Sequence, residues 1–133
     1  NGNLIVKGVL DPSDAKKIKE MGADAIYVSG HGARQLDSLP APITQLPKIR
    51  RAVGKNYPLI FDTGVRNGED IVKAYASGAD FVMLGRPILY ALAADGERGL
   101  KTIINYISKE IQVTLAQIGL GSIADVNQKN LIS

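Results

Sequence analysis

Four short apolar runs, each followed by a stretch with helical spacing, constrain this chain's fold more than any other feature. They are Leu4-Ile5-Val6, Ala25-Ile26-Tyr27-Val28, Leu59-Ile60-Phe61 and Phe81-Val82-Met83-Leu84. Unbroken apolar runs of this length read as strands buried on both faces, the usual pattern of parallel strands. After the first run, Asp11-Pro12-Ser13 reads as a helix start, and the helix continues to Met21 before Gly22. A loop through Pro40 and Pro42 leads into a helix from about Ile43 to Val53, and another runs from about Gly68 to Ser77. Beyond the fourth run come an apolar stretch, Ile88 to Ala94, an amphipathic helix from about Gly96 to Ile118, and a short helical tail around Ile123 to Asn127.

Strands alternating with helices make βα units, so the fold class is α/β with a parallel sheet. No Gly-x-Gly-x-x-Gly follows the first run, which argues against a dinucleotide-binding doubly wound sheet. The triplet Gly-Ala-Asp enters the second and fourth strands alike, at Gly22-Ala23-Asp24 and Gly78-Ala79-Asp80. Such a repeat, spanning two βα units, suits a (β/α)8 barrel. Four units make about half of the ~250 residues of such a barrel. Within the α/β class a doubly wound sheet and a piece of a (β/α)8 TIM barrel both remain, and either makes a single domain over 1–133.

Composition removes several functions. There is no Cys and only one His among 133 residues, so thiol nucleophiles, disulfides, Cys-ligated zinc and multi-His metal clusters are excluded. The net charge of +3 suits an anionic ligand, and with two Phe, five Tyr and no Trp the chain lacks a base-stacking platform for nucleic acid. Without an apolar stretch of membrane-spanning length or a basic-then-apolar opening, a cytoplasmic location is the expectation.

The unusual side chains all fall just after strands, where the loops of a βα barrel build an active site. Lys7 ends the first strand; Ser29, His31 and Arg34 follow the second; Asp62, Gly64 and Arg66 follow the third; Gly85 and Arg86 follow the fourth. Taken singly, a lysine after a strand is usually a solvated charge and a lone histidine usually structural. Their concentration on one rim favours a site. Gly64 and Gly85, each within two residues of an arginine, read as a phosphate cradle of free amides and guanidinium groups. His31, flanked by Gly30 and Gly32, pairs a near-neutral base with Arg34, which suits proton abstraction beside a bound carboxylate. Asp62 reads equally as an acceptor for sugar-like hydroxyls and as a helix-start residue.

The stretch Val28-Ser29-Gly30-His31-Gly32-Ala33-Arg34-Gln35-Leu36-Asp37 resembles the signature of the FMN-dependent α-hydroxy acid oxidases and dehydrogenases. The resemblance continues through Val6-Lys7-Gly8, Asp62-Thr63-Gly64-Val65-Arg66 and Leu84-Gly85-Arg86-Pro87, in the family's order, with the lactate oxidases nearest. It implies FMN as cofactor and oxidation of an L-2-hydroxy acid to a 2-oxo acid. Lys7 would lie near flavin N1 and O2, and Ser29 would touch the flavin. Asp62, Thr63, Gly64, Val65 and Arg66 would hold the ribityl chain and phosphate, with Gly85 and Arg86 completing the phosphate site. His31 would be the base and Arg34 the carboxylate clamp, by either a hydride or a carbanion route. Gly30 and Asn67 depart from the family, the first standing where many members have Asn and the second where many have Arg.

The resemblance implies a (β/α)8 TIM barrel and covers only the second half of it, about the last four βα units, strands 5 to 8. The expected partners are therefore a 2-hydroxy acid and the missing N-terminal half, from the same or a second chain, or another copy of this chain in a homo-oligomer. No metal and no nucleic acid is expected. Leu4, Val6, Tyr27, Ile60, Val82 and Leu84 include the inward residues whose partners would be absent. The competing expectation is a non-catalytic half-barrel that binds FMN or another phosphorylated ligand. An isopentenyl diphosphate isomerase of the flavin type is a weaker alternative, against which the His-Gly-Ala-Arg-Gln pattern argues.

Overall fold

The computed structural model describes residues 2–131; the ends of the expected 1–133 domain lie outside that range. Strands β1 (Ile5–Lys7), β2 (Ala25–Val28), β3 (Leu59–Phe61) and β4 (Phe81–Val82) form one parallel sheet in sequential order. Helices α1 (Pro12–Glu20), α2 (Pro42–Val53) and α3 (Gly68–Ala76) connect them, and α4 (Arg86–Gln117) follows the last strand.

Local chemistry places the helix ends. Asp11 caps α1 by accepting from the Ser13 and Asp14 amides at 2.7 and 3.1 Å, with Pro12 in the first turn. Asn67 caps α3 by accepting from the Asp70 amide at 2.9 Å. The repeated triplet is a structural device. Asp24 accepts from the Leu4 amide at 2.6 Å and Asp80 from the Leu59 amide at 2.8 Å, so each aspartate ties its own strand to the start of the preceding neighbour.

Register sorts the strand residues by face. Val6 pairs with Ile26, Ile26 with Leu59, Val28 with Phe61, and Phe61 with Val82. These residues meet the helices: Ile26, Val28, Leu59 and Phe61 are fully buried with Leu46, Ile49 and Val53 of α2, Ala74 of α3 and Ile107 of α4. On the opposite face, Lys7 pairs with Tyr27, Tyr27 with Ile60, and Ile60 with Phe81. Among the described residues no helix covers that face, which leaves Ile5 47% and Phe81 57% exposed. The expected set of partnerless inward residues is thus narrowed, with Leu4 58% exposed just ahead of β1. Tyr27 and Ile60 lie on the open face, whereas Val6, Val82 and Leu84 pack on the helix side. An all-apolar run carries no alternation from which to read the face.

Two element boundaries also differ. β4 ends at Val82, although the Met83 amide still donates to the Phe61 carbonyl at 2.8 Å. The apolar stretch Ile88 to Ala94 is helical and belongs to α4, which leaves helical geometry only at Asp95 and Gly96. The N-terminus of α4 therefore lies at Arg86, directly after β4.

Candidate active site

Because all four strands run the same way, every segment that leaves a strand's C-terminal end emerges on one rim. A cavity of about 380 Å³ opens there. Lys7, His31, Arg34, Asp62, Thr63, Gly64, Val65, Arg66, Gly85 and Arg86 all line it, joined by Gly32, Met83 and Leu89. Ser29 stands beneath this wall, 1% exposed, accepting from Lys7 Nζ and from the His31 amide at 3.1 Å each.

The loop after β2 owes its shape to three consecutive left-handed residues, His31 (φ 52), Gly32 (φ 67) and Ala33 (φ 64). Such backbone costs a residue with a Cβ about 1–2 kcal/mol. Hydrogen bonds hold it. The Ala33 amide donates to the Gly30 carbonyl at 2.9 Å, and the Gly30 and Gly32 amides donate to Thr63 Oγ1 at 3.1 and 3.4 Å. Thr63, itself left-handed at φ 76, donates its hydroxyl to Asp62 Oδ1 at 2.7 Å. The β2 loop and the β3 loop are thereby locked together. Arg34 folds back so that Nε donates to the His31 carbonyl at 3.3 Å, which keeps the guanidinium beside the imidazole's own residue.

Asp62 caps no helix; Asn67 does that for α3. Its Oδ2 instead accepts from Tyr27 Oη at 2.9 Å and lies 3.9 Å from Lys7 Nζ. The Lys7 ammonium also sits 4.8 Å above the Tyr27 ring. Burial, followed by the hydrogen bond and charge of Asp62, raises the Tyr27 phenol well above the ordinary tyrosine range, so it remains a donor. Sequence reasoning missed Tyr27 as a site residue, because its place opposite Lys7 on the open face follows from the β1–β2 register.

The far wall is built for an anion. A Cβ at Gly64 or Gly85 would meet nothing within 4 Å, so the chain at both glycines borders open space. Arg66 and Arg86 stand exposed beside them, and α4 opens at the same place with the positive end of its dipole. Pro87 carries no N–H and the Ile88 amide donates to the Gly85 carbonyl at 3.1 Å, which leaves the Arg86 amide as the donor this first turn can offer. This helix start was also missed; Pro87 signals it by the rule that Pro12 obeys. Val65 reaches the cavity from the core and is only 4% exposed. Four cations (Lys7, Arg34, Arg66 and Arg86), two open glycines, a helix N-terminus and a hydroxyl-and-carboxylate pair in one cavity fit a ligand with a phosphate at one end and polar hydroxyls behind it.

Comparison with known proteins gives concordant findings. The family model for FMN-dependent dehydrogenases matches residues 1–133. An L-lactate dehydrogenase of Pectobacterium atrosepticum is 47% identical over 131 residues, 98% of this chain and 34% of the relative. The crystal structure of the monotopic membrane protein (S)-mandelate dehydrogenase superposes with a TM-score of 0.94 at 41% identity, covering 99% of this chain and 35% of the other. A lactate oxidase of Pediococcus acidilactici superposes with a TM-score of 0.84, also at 41% identity, over 96% of this chain and 34% of the other. The chain spans about a third of the length of the curated relatives it matches.

Proposed function

The chain belongs to the FMN-dependent dehydrogenase family, and from that premise we propose that it is part of an enzyme oxidising a lactate-like L-2-hydroxy acid to the 2-oxo acid. The observation that carries this reading is the convergence of His31, Arg34, Lys7, Arg66 and Arg86 on one cavity. Bound there, FMN would supply the two-electron acceptor.

Arg66 and Arg86 would hold the dianionic phosphate by charge-assisted hydrogen bonds, helped by the peptides of Gly64 and Gly85 and the α4 N-terminus. Asp62, Thr63 and the neighbouring Val65 peptide would line the path of the ribityl hydroxyls. Lys7, steadied by Ser29, would present its ammonium to the ring's polar edge. Arg34 would grip the substrate carboxylate in its planar fork and turn the α-carbon toward His31. His31 would then take the substrate proton, a task suited to an imidazole's near-neutral basicity.

The same proposal treats the chain as the last four βα units of a (β/α)8 barrel. In support, β1 and β4 are unpaired edges, and the face bearing Ile5, Phe81 and Met83 is exposed and apolar. Unpaired edges and such faces are poorly tolerated by a free monomer. The missing N-terminal half, or another copy in an oligomer, would cover them. A cytoplasmic location completes the proposal. It competes with attachment to a membrane face, since the similar mandelate dehydrogenase is a monotopic membrane protein.

Flavin titration of the purified chain tests the reading, with the complementary half supplied in trans if the chain alone stays colourless. Yellow colour that bleaches anaerobically on adding L-lactate or an L-2-hydroxy acid like it is the expected result. His31→Gln should keep the colour and slow bleaching about 100-fold. Colour without bleaching would convert the assignment to a binding module. Failure to bind flavin in either form refutes it.

A further inference from the structure

The Lys7-Gly8 turn touches the imidazole from below. A Cβ built on Gly8 would lie 2.7 Å from His31 Cε1 and 3.6 Å from both Nδ1 and Nε2. Carbon atoms pack at about 3.5–4.0 Å, so an added methyl would overlap the ring by about an ångström. Neither backbone has room to yield. The Gly8 amide donates to the Tyr27 carbonyl at 2.9 Å and continues the β1–β2 ladder. The His31 amide is held by Ser29 Oγ, and the turn behind it closes between Ala33 and Gly30. The side chain of His31 would have to move.

We propose that Gly8 is a positioning residue, the seat that fixes the His31 imidazole. It acts through His31, and its bearing on turnover rests on the base role proposed above. The seat lies one residue beyond Lys7, so a single turn of chain sets the ammonium and the imidazole in fixed relation. An error of about an ångström in the position of a reacting group is enough to cost around 100-fold in rate.

Gly8 is also left-handed, at φ +93, so any L-residue there is strained apart from the contact. Gly22 separates the two effects. It has φ +91 with nothing within 4 Å of a built Cβ, and it lies at the end of α1, away from the cavity. Gly22→Ala therefore carries the same backbone strain without the clash.

His31 is the only histidine in the chain, so [13C]histidine labelling gives one ring signal that reports the seat without cofactor or turnover. In Gly8→Ala the Cε1–H cross-peak should move and its nuclear Overhauser contact to the residue-8 α-proton should vanish, while Gly22→Ala leaves both unchanged. An unmoved signal in Gly8→Ala overturns the proposal. If Gly8→Ala fails to fold, Gly8→Ala combined with His31→Ala decides. Recovery to the melting temperature of Gly22→Ala with His31→Ala supports the steric seat, and continued unfolding overturns it. In the flavin-loaded enzyme, Gly8→Ala should lower turnover at least tenfold with FMN retained. A moved ring with unchanged turnover would uphold the seat and refute the base role of His31 instead.

Discussion

Thr63→Val isolates the clasp between the two loops that carry the site. Valine keeps the branched shape and meets the same penalty at φ 76, so the comparison removes a hydroxyl and little else. That hydroxyl donates to the Asp62 carboxylate at 2.7 Å and accepts from the Gly30 and Gly32 amides at 3.1 and 3.4 Å. A hydrogen bond to a charged group contributes about 1.5–3 kcal/mol and a neutral one about 1 kcal/mol. The Gly32 contact is long, and Asp62 and Thr63 are only half-buried, which lowers the total. Gly30 is buried, however, and its amide would be left without a partner. The expected loss is about 2–3 kcal/mol, or about 10 °C in melting temperature for a domain of this size. Urea unfolding followed by circular dichroism measures it, and hydrogen exchange should quicken at Gly30 and Gly32. Thr63→Ser keeps the hydroxyl and should lose no more than about 1 kcal/mol for the missing methyl. A loss below about 0.5 kcal/mol for valine, or equal losses for both variants, would refute the clasp.

Arg66→Ala and Arg86→Ala should each weaken FMN binding by about tenfold, read from quenching of flavin fluorescence, since each removes a charge-assisted phosphate contact. Arg34→Lys should raise the KM for the hydroxy acid with FMN affinity unchanged, because an ammonium cannot reproduce the bidentate fork. Arg50→Met should lower stability by about 3 kcal/mol in urea unfolding. Arg50 donates to the carbonyls of Gly54, Lys55, Tyr57 and Gly78 and to Asp80; all five contacts go together, and Asp80 keeps the Leu59 amide. The Asp11 carboxylate is held below its usual range by the Ser13 hydroxyl and then by the Asp14 and Ser13 amides. A depressed folded-state value stabilises above the ordinary aspartate value and is lost as pH falls through the folded one. The gap in melting temperature between Asp11→Ala and the parent should therefore be widest near neutral pH and close in acid.

The sequence by itself determined the class of fold and the population of the rim. Parallel strands announce themselves as unbroken apolar runs, a cap such as Asp11 acts within a turn of where it sits, and a parallel βα array sends every post-strand residue to the same side. Lys7, His31, Arg34, Asp62, Arg66 and Arg86 were therefore legible as neighbours although up to 79 positions separate them. Only the tertiary structure decided which strand face is covered. Runs such as Phe81-Val82-Met83-Leu84 are apolar at every position, so burial follows register with a neighbouring strand, which no local pattern encodes. The same holds for Tyr27 on Asp62, Thr63 across two loops, and Gly8 under His31. Each joins residues at least 20 positions apart, and the energies that select them are those of packing and hydrogen bonding in the folded state.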